Sequence, residues 1–424
     1  MLLEFKLRNY RAFRNEALFS LVASTDKTLV DENTTATGLP GVARALRTAA
    51  VYGPNASGKT TLLRAIQLMR GVVVESAALK PDQTFNVQPF ALDAVAKRQP
   101  TLFEATVLLD GVRYQYGFEF TPQRIMAEWL LVYQTKRPQR WIQRTFNTET
   151  KEETFEFSPS LTGPKRVWQE ATRPNALFLS TAVQLNSDAL QPLFQWFQGA
   201  LNVFLDGGRI PHDFTTSMVE RNEAQPIAAM LTAADIGIHS IAIQRQKAFQ
   251  RGFHMDFATG EVETTSGEGE ILLPKFRHVV GEQSADFDYT DESQGTQKLY
   301  ALAGPILDII AKGSMLVIDE LDRSLHPLLV HQLVRTFQDP AINTRGAQLI
   351  FSTHDTSLLD ASLLRRDQIW FTEKDEVQSA TLVPLTDFSA RKDEAFERAY
   401  LTGRYGGVPV LDRRLLPARI DAKR

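Results

Sequence analysis

An α/β fold is predicted, with a phosphate-loop core, an antiparallel β subdomain and a helical insertion, on three observations. The loop Gly53-Pro54-Asn55-Ala56-Ser57-Gly58-Lys59-Thr60 follows the apolar run Thr48–Tyr52 and precedes Leu62, Leu63, Ile66 and Met69 at helical spacing. A second apolar run, Met315–Ile318, ends in the acids Asp319-Glu320. Between these, the strand-like runs Phe103–Leu109 and Val112–Phe120 are joined by Asp110-Gly111, a strong local hairpin signal.

Composition narrows the class. A chain of 424 residues with 43% hydrophobic and 23% charged side chains is expected to be soluble and globular, built from more than one packed unit. No stretch approaches the roughly 18 uninterrupted apolar residues of a membrane span, so no membrane role is expected. The start, Met1-Leu2-Leu3-Glu4-Phe5-Lys6, alternates like a half-buried strand and lacks a signal-peptide core. The absence of cysteine excludes disulfides, thiolate catalysis and Cys-ligated zinc, and agrees with a cytoplasmic protein. A formal net charge of -3 offers nucleic acid no global attraction.

Taken in order, Leu3, Phe5 and Leu7 alternate as a strand, Asn9–Asn15 reads as a turn, and Phe19–Val22 as the return strand. Asp26–Pro40 is polar and reads as a loop. Beyond the Asp110-Gly111 hairpin, strand signals recur at Trp129–Gln134, Arg140–Phe146 and Thr154–Phe157. Residues 168–250 read as mostly helical, with pieces at Asn175–Leu185, Leu193–Phe204, Ile227–Ala234 and Ile238–Phe249 broken by Gly207-Gly208, Pro211 and Gly237. Phe253–Phe257 and Ile271–His278 then read as strands. Lys298–Ile310 has a helix pattern, Ser314–Ile318 and Gln348–Ser352 read as buried strands, and Gln368–Thr372 and Ser379–Val383 as later ones, before a helix around Ala395–Leu401. The expected organisation is an N-terminal lobe over 1–167, a helical insertion over 168–250, a C-terminal lobe over 251–410 and a short basic tail over 411–424.

Asn55, Ser57, Gly58, Lys59, Thr60 and Thr61 make the expected cradle for a nucleotide triphosphate. Backbone N–H groups at a helix start attract phosphate, Lys59 reaches the β- and γ-phosphates, and Thr60 supplies a hydroxyl to Mg²⁺. Asp319 supports the same Mg²⁺, and Glu320 is placed to accept the proton of the attacking water. The run Gln348–Ser352 leads into Thr353-His354-Asp355, so His354 is a second catalytic candidate, contacting the γ-phosphate or the water. Glu292-Ser293-Gln294-Gly295-Thr296-Gln297-Lys298 opens a helix; Ser293, Gly295 and Thr296 read either as a plain N-cap or as a second anion site. That second site would complete the ATP site of a neighbouring copy.

In this combination the chain resembles ABC-type ATPases of the recombination, chromosome-maintenance and abortive-infection branch, especially the compact AAA-like ATPases of bacterial anti-phage systems. The resemblance covers roughly 1–120 and 275–410 and extends to the tail sequence Tyr400–Pro409. It implies that Ser293 and Gly295 face γ-phosphate across a dimer interface, that Leu321-Asp322 begins the D-loop, and that His354 is the switch histidine. It makes Gln88, with Gln83 as the other choice, the Q-loop ligand of Mg²⁺, and Arg11 in the Asn9–Asn15 turn a nucleotide contact. Thr296 stands where transporters usually have glycine, and the middle of the chain lacks long coiled-coil arms.

The expected function is ATP hydrolysis coupled to closing and opening of a homodimer, which could join into a higher oligomer. A sensing or effector-holding role in anti-phage defence follows from the resemblance, with an effector protein as partner. Two alternatives stay open: a RecF-like DNA-repair or recombination ATPase, and a nucleotide-dependent structural scaffold. DNA or RNA contact would fall to runs such as Lys136–Arg140 and Lys165-Arg166. Trp129, Trp141, Trp168 and Trp196 read as core before recognition residues, and His239 and His254 are too isolated to form a metal site.

Overall fold

The computed structural model describes residues 1–408 except 136, 206–209, 235, 257–258 and 389–393. The basic tail 411–424, Gly207-Gly208, Lys136, Phe257 and Pro409 therefore lie outside the described residues.

The central layer is a mixed sheet in the order Leu201–Phe204, Met315–Ile318, Gln348–Ser352, Thr48–Tyr52, Ile369–Lys374, Ala380–Pro384. All neighbours run parallel except the last pair, which is antiparallel. The three inner strands Met315–Ile318, Gln348–Ser352 and Thr48–Tyr52 are buried along their whole length, as central parallel strands are, while the edge strands Leu201–Phe204 and Ala380–Pro384 are largely half-buried. Side chains alternate between two cores. Ala49, Val51, Met315, Val317 and Ile350 face the first; Ala50, Tyr52, Leu316, Ile318, Leu349 and Phe351 face the second.

The first core is closed by the helix Lys59–Glu75 and by an antiparallel sheet of seven strands. This sheet runs in the order Glu153–Phe157, Gln139–Phe146, Ile125–Tyr133, Val112–Phe120, Thr101–Leu109, Leu2–Arg8, Ala17–Ser20. Its tight turn is at Asp110-Gly111, where φ is 48° and 78°; two consecutive positive values match the right-handed twist of a hairpin. The second core lies under the helices Gln294–Lys312 and Pro327–Gln338.

A buried ionic cluster ties the antiparallel sheet to the segment after it. Glu128 and Arg144 are both fully buried and 3.6 Å apart. Glu128 also accepts from Phe178 N at 2.7 Å, Leu179 N at 2.9 Å and the Tyr116 hydroxyl at 2.9 Å. Arg144 donates to Glu153 at 3.0 Å and to the carbonyls of Ala176 and Arg173 at 2.6 and 3.2 Å. Each group is satisfied, which a pair of charges out of water requires.

Three expectations from the sequence are corrected. The helix expected over Ile238–Phe249 is a strand, Ile238–Met255, paired antiparallel with Val262–Val280 in a long hairpin. A bulge between Ile238 and Ser240 shifts the strand's phase so that Ile238 and Ile241 both point inward, and a three-residue spacing then imitates a helix. The insertion expected over 168–250 is thus only partly helical, and 250 falls inside this strand. The helix expected over Leu193–Phe204 stops after the π-turn Trp196–Ala200, and Leu201–Phe204 becomes the edge strand of the central sheet. The loop expected over Asp26–Pro40 contains the short helix Val30–Asn33 and the strand Thr34–Leu39. Trp141, Trp168 and Trp196 are core residues, and Trp129 donates to Glu104 at 2.6 Å.

Replacing Arg144 with methionine leaves Glu128 buried without its cation. Stability to chemical denaturant is expected to fall by about 3 kcal/mol, while nucleotide affinity of the folded fraction stays unchanged; an unaltered denaturation midpoint would contradict this reading.

Candidate functional site

The three motif-bearing strands Met315–Ile318, Gln348–Ser352 and Thr48–Tyr52 are direct neighbours with matched ends. Their C-terminal ends lie side by side, the place where open parallel sheets bind ligands. The register alone brings Asp319, Ser352 and the phosphate loop together.

Loop geometry demands its glycines. Gly53 has φ 150°, and a Cβ there would sit 2.4 Å from the Thr372 carbonyl. Gly58 has φ 125°, with Ala380 Cβ only 2.9 Å from its own missing Cβ. At the apex, Asn55 is exposed and Ala56 takes φ 62°. Ser57 is buried, its hydroxyl 2.5 Å from that of Thr372, which pins the loop to the strand Ile369–Lys374. Lys59 folds back to donate to the Gly53 and Pro54 carbonyls at 2.6 and 3.1 Å. Burial lowers its pKa, opposed by the carboxylates of Asp319, Glu320 and Asp322. Thr60 and Thr61 are half-buried in the first turn of the following helix.

The Thr60 hydroxyl donates to Asp319 Oδ2 at 2.8 Å. The other Asp319 oxygen accepts from the Ser352 hydroxyl, and Ser352 Oγ in turn accepts from Glu320 N at 2.8 Å. A hydroxyl and a carboxylate held this close form the oxygen donor set a hard divalent cation takes, so the residues fit Mg²⁺. Glu320 itself is left-handed, φ 51°, and its half-exposed carboxylate is 3.4 Å from exposed Arg323.

His354 is exposed, and its N–H lies 3.4 Å from both Asp322 carboxylate oxygens. Desolvation, and next the Lys59 ammonium, hold its pKa below the ordinary 6.5, keeping the imidazole neutral near pH 7. Neutral imidazole can accept a hydrogen bond from water or donate one to phosphate.

Ser293 caps the helix Gln294–Lys312: its Oγ accepts from Thr296 N at 3.1 Å and lies 2.9 Å from Thr296 Oγ1. Thus the N-cap reading holds as geometry. Ser293 and Gln294 are nevertheless exposed, and no hydrogen bond joins Ser293, Gly295 or Thr296 to the phosphate loop of the same chain among the described residues. Gly295 packs on the segment after Glu320; a Cβ there would lie 2.9 Å from the Ser324 carbonyl.

Arg11 and Gln88 are brought together through their backbones, Arg11 N donating to the Gln88 carbonyl at 2.8 Å. Neither side chain makes a hydrogen bond to Thr60 or Asp319 among the described residues, and Arg11 Nε is buried without a partner. Gln88 is exposed, whereas Gln83 is engaged by Lys80 N and Glu261. Among the described residues no group of three or more His, Asp or Glu could hold a metal by itself, and no helix is long and apolar enough to cross a membrane.

Residues 49–360 match the family described as "AAA domain, putative AbiEii toxin, Type IV TA system", well over half of the chain. The chain belongs to this AAA-domain family. An AAA-like, abortive-infection type is also what the motifs' resemblance implies, and the ATPase-type character of the domain follows from the family. Two solved structures are similar in overall course. The SMC head domain from Thermotoga maritima is 14% identical at TM-score 0.42, covering 90% of this chain and 98% of that one. An SmcHead bound to the C-winged helix domain of ScpA is 11% identical at TM-score 0.39, covering 90% and 97%. No curated protein matches the sequence.

Sequence reasoning gave no role to Ser352, Thr372 or Lys298. Ser352 carried a signal, since it ends the strand two residues before His354. Thr372 carried none, because the contact with Ser57 spans 315 positions. Ser352→Ala removes the hydroxyl between Asp319 and Glu320. ATP binding, followed by fluorescent-nucleotide titration, is expected to change less than about threefold, whereas turnover falls about 10²-fold; equal turnover would show that the hydroxyl does not position the acids.

Proposed function

We propose that this AAA domain hydrolyses ATP in a cycle that closes and opens a homodimer, and that it serves as a sensing or effector-holding module of bacterial anti-phage defence. One observation supports the dimer: the helix start at Ser293 is exposed and, among the described residues, makes no hydrogen bond to its own phosphate loop. The N–H groups of Gln294 and Gly295 occupy the first turn, where a helix lacks internal acceptors and its dipole favours negative charge. A second copy's γ-phosphate is the ligand that this surface fits, giving two composite sites by symmetry. The defence role rests on the family match, whose description names an AbiEii toxin and a type IV toxin–antitoxin system.

In this reading the loop amides and Lys59 bind the triphosphate, and Thr60 and Asp319 would hold Mg²⁺. The cation, when bound, neutralises charge on the phosphates. Glu320 takes the proton of the attacking water, and Ser352 fixes the backbone from which it projects. His354, neutral beside Lys59, orients that water or donates to the γ-phosphate. Loss of the γ-phosphate removes the charge that both protomers grip, and the pair loosens.

Glu320→Gln is expected to lower phosphate release by about 10²- to 10⁴-fold and to accumulate an ATP-dependent dimer in sedimentation. Adding Ser293→Arg in that background should leave nucleotide binding to the monomer and abolish the dimer. Unchanged turnover in the first variant, or sedimentation indifferent to ATP, would overturn the proposal.

A further inference from the structure

Five residues into the helix that Ser293 opens stands a lysine whose ammonium, among the described residues, makes no ion pair within 4 Å. Lys298 is 5% exposed, and its Nζ donates to the carbonyls of Glu320 at 3.0 Å, Leu321 at 3.0 Å and Arg323 at 2.7 Å. Those acceptors use all the donors an ammonium has. They belong to one tight turn, whose own bonds are Arg323 N to the Glu320 carbonyl and Leu325 N to that of Asp322, both 3.1 Å. The turn is a strained one for its residues, with Glu320 at φ 51° and Ser324 at φ 63°. Non-glycine residues persist in the left-handed region only where their surroundings over-determine it. Here the determinants are Lys298 from one side and the Ser352 hydroxyl, bonded to Glu320 N, from the other.

We propose that Lys298 is a positioning residue that couples the helix start at Ser293 to Glu320 of the same chain, so that capture of the neighbour's ATP at one composite site sets the carboxylate geometry of the other. This rests on the composite-site reading above and adds a path between the two sites. The first turn and Lys298 belong to one rigid helix, and Gly295 lies directly on the Ser324 carbonyl. A shift of the helix start on binding phosphate must therefore move the turn carrying Glu320. Burial of the ammonium lowers its pKa to about 8, opposed by the carboxylates of Asp322 and Glu320, so the three carbonyls are what hold the charge in place. Lys298 also lines a cleft of about 630 Å³ beside His212, Tyr289 and Arg323, from which water can reach the carbonyls if the ammonium is removed.

The test is Lys298→Met, with Lys298→Gln, which keeps an N–H donor, as the second variant should methionine prevent folding. Folding is checked by thermal unfolding, nucleotide binding by titration with a fluorescent ATP analogue, and turnover by phosphate release across ATP concentrations. Expected are a folded protein, affinity within about threefold of the parent, kcat lower by about 10²-fold, and a Hill coefficient falling from about 2 towards 1. A folded variant with parental kcat and parental cooperativity overturns the proposal. Glu320→Gln and Ser293→Arg, run in parallel, separate the two failures: if they behave as stated above and Lys298→Met does not, the coupling alone is wrong; if they also fail, the composite site is wrong.

Discussion

Asp319 is the point at which the molecule is tied. One carboxylate oxygen meets the hydroxyl at the start of the phosphate-loop helix, and the other meets Ser352 at the end of the neighbouring strand. Two hydroxyls satisfy a carboxylate that is only 4% exposed, so its charge is tolerated at the edge of two apolar cores. This works because Gln348–Ser352 lies between Met315–Ile318 and Thr48–Tyr52 in parallel register. A slip of one residue would turn Ser352 away and reverse which side chains face each core.

The same parallel sheet divides labour between its faces. Its first core, with the helix Lys59–Glu75 and the antiparallel sheet, anchors the phosphate loop through Gly58 against Phe13 and Ala380. Its second core supports the helix Gln294–Lys312, whose N-terminus is left open. The phosphate loop and the helix start at Ser293 are thus built on opposite sides of one layer. Lys298 and Ser352 converge on the turn at Glu320, which lies between them.

Local chemistry was readable where a local rule determines it. Asp110-Gly111 predicts its hairpin because positive φ is needed at both positions, and both show it. The phosphate loop is readable because strand, glycines, lysine and threonine are contiguous. Ile238–Phe249 misled because a bulge gave a strand the spacing of a helix. Leu201–Phe204 misled because only its pairing with Met315–Ile318 makes it a strand. At Ser293 the sequence left cap and anion site open. The cap is observed, and exposure keeps the second use available.

By itself, the sequence determined that this chain carries a phosphate loop, two strand-end acids and a capped helix start, since each is written in neighbouring residues. Tertiary structure decided that Ser352 would join the acids, that Thr372 would brace Ser57, and that Lys298 would hold the turn beneath Glu320. Those partners lie 33, 315 and 22 positions apart. Periodicity and motif spacing are blind to such distances, because only the order of strands in the sheet brings these groups within hydrogen-bonding reach.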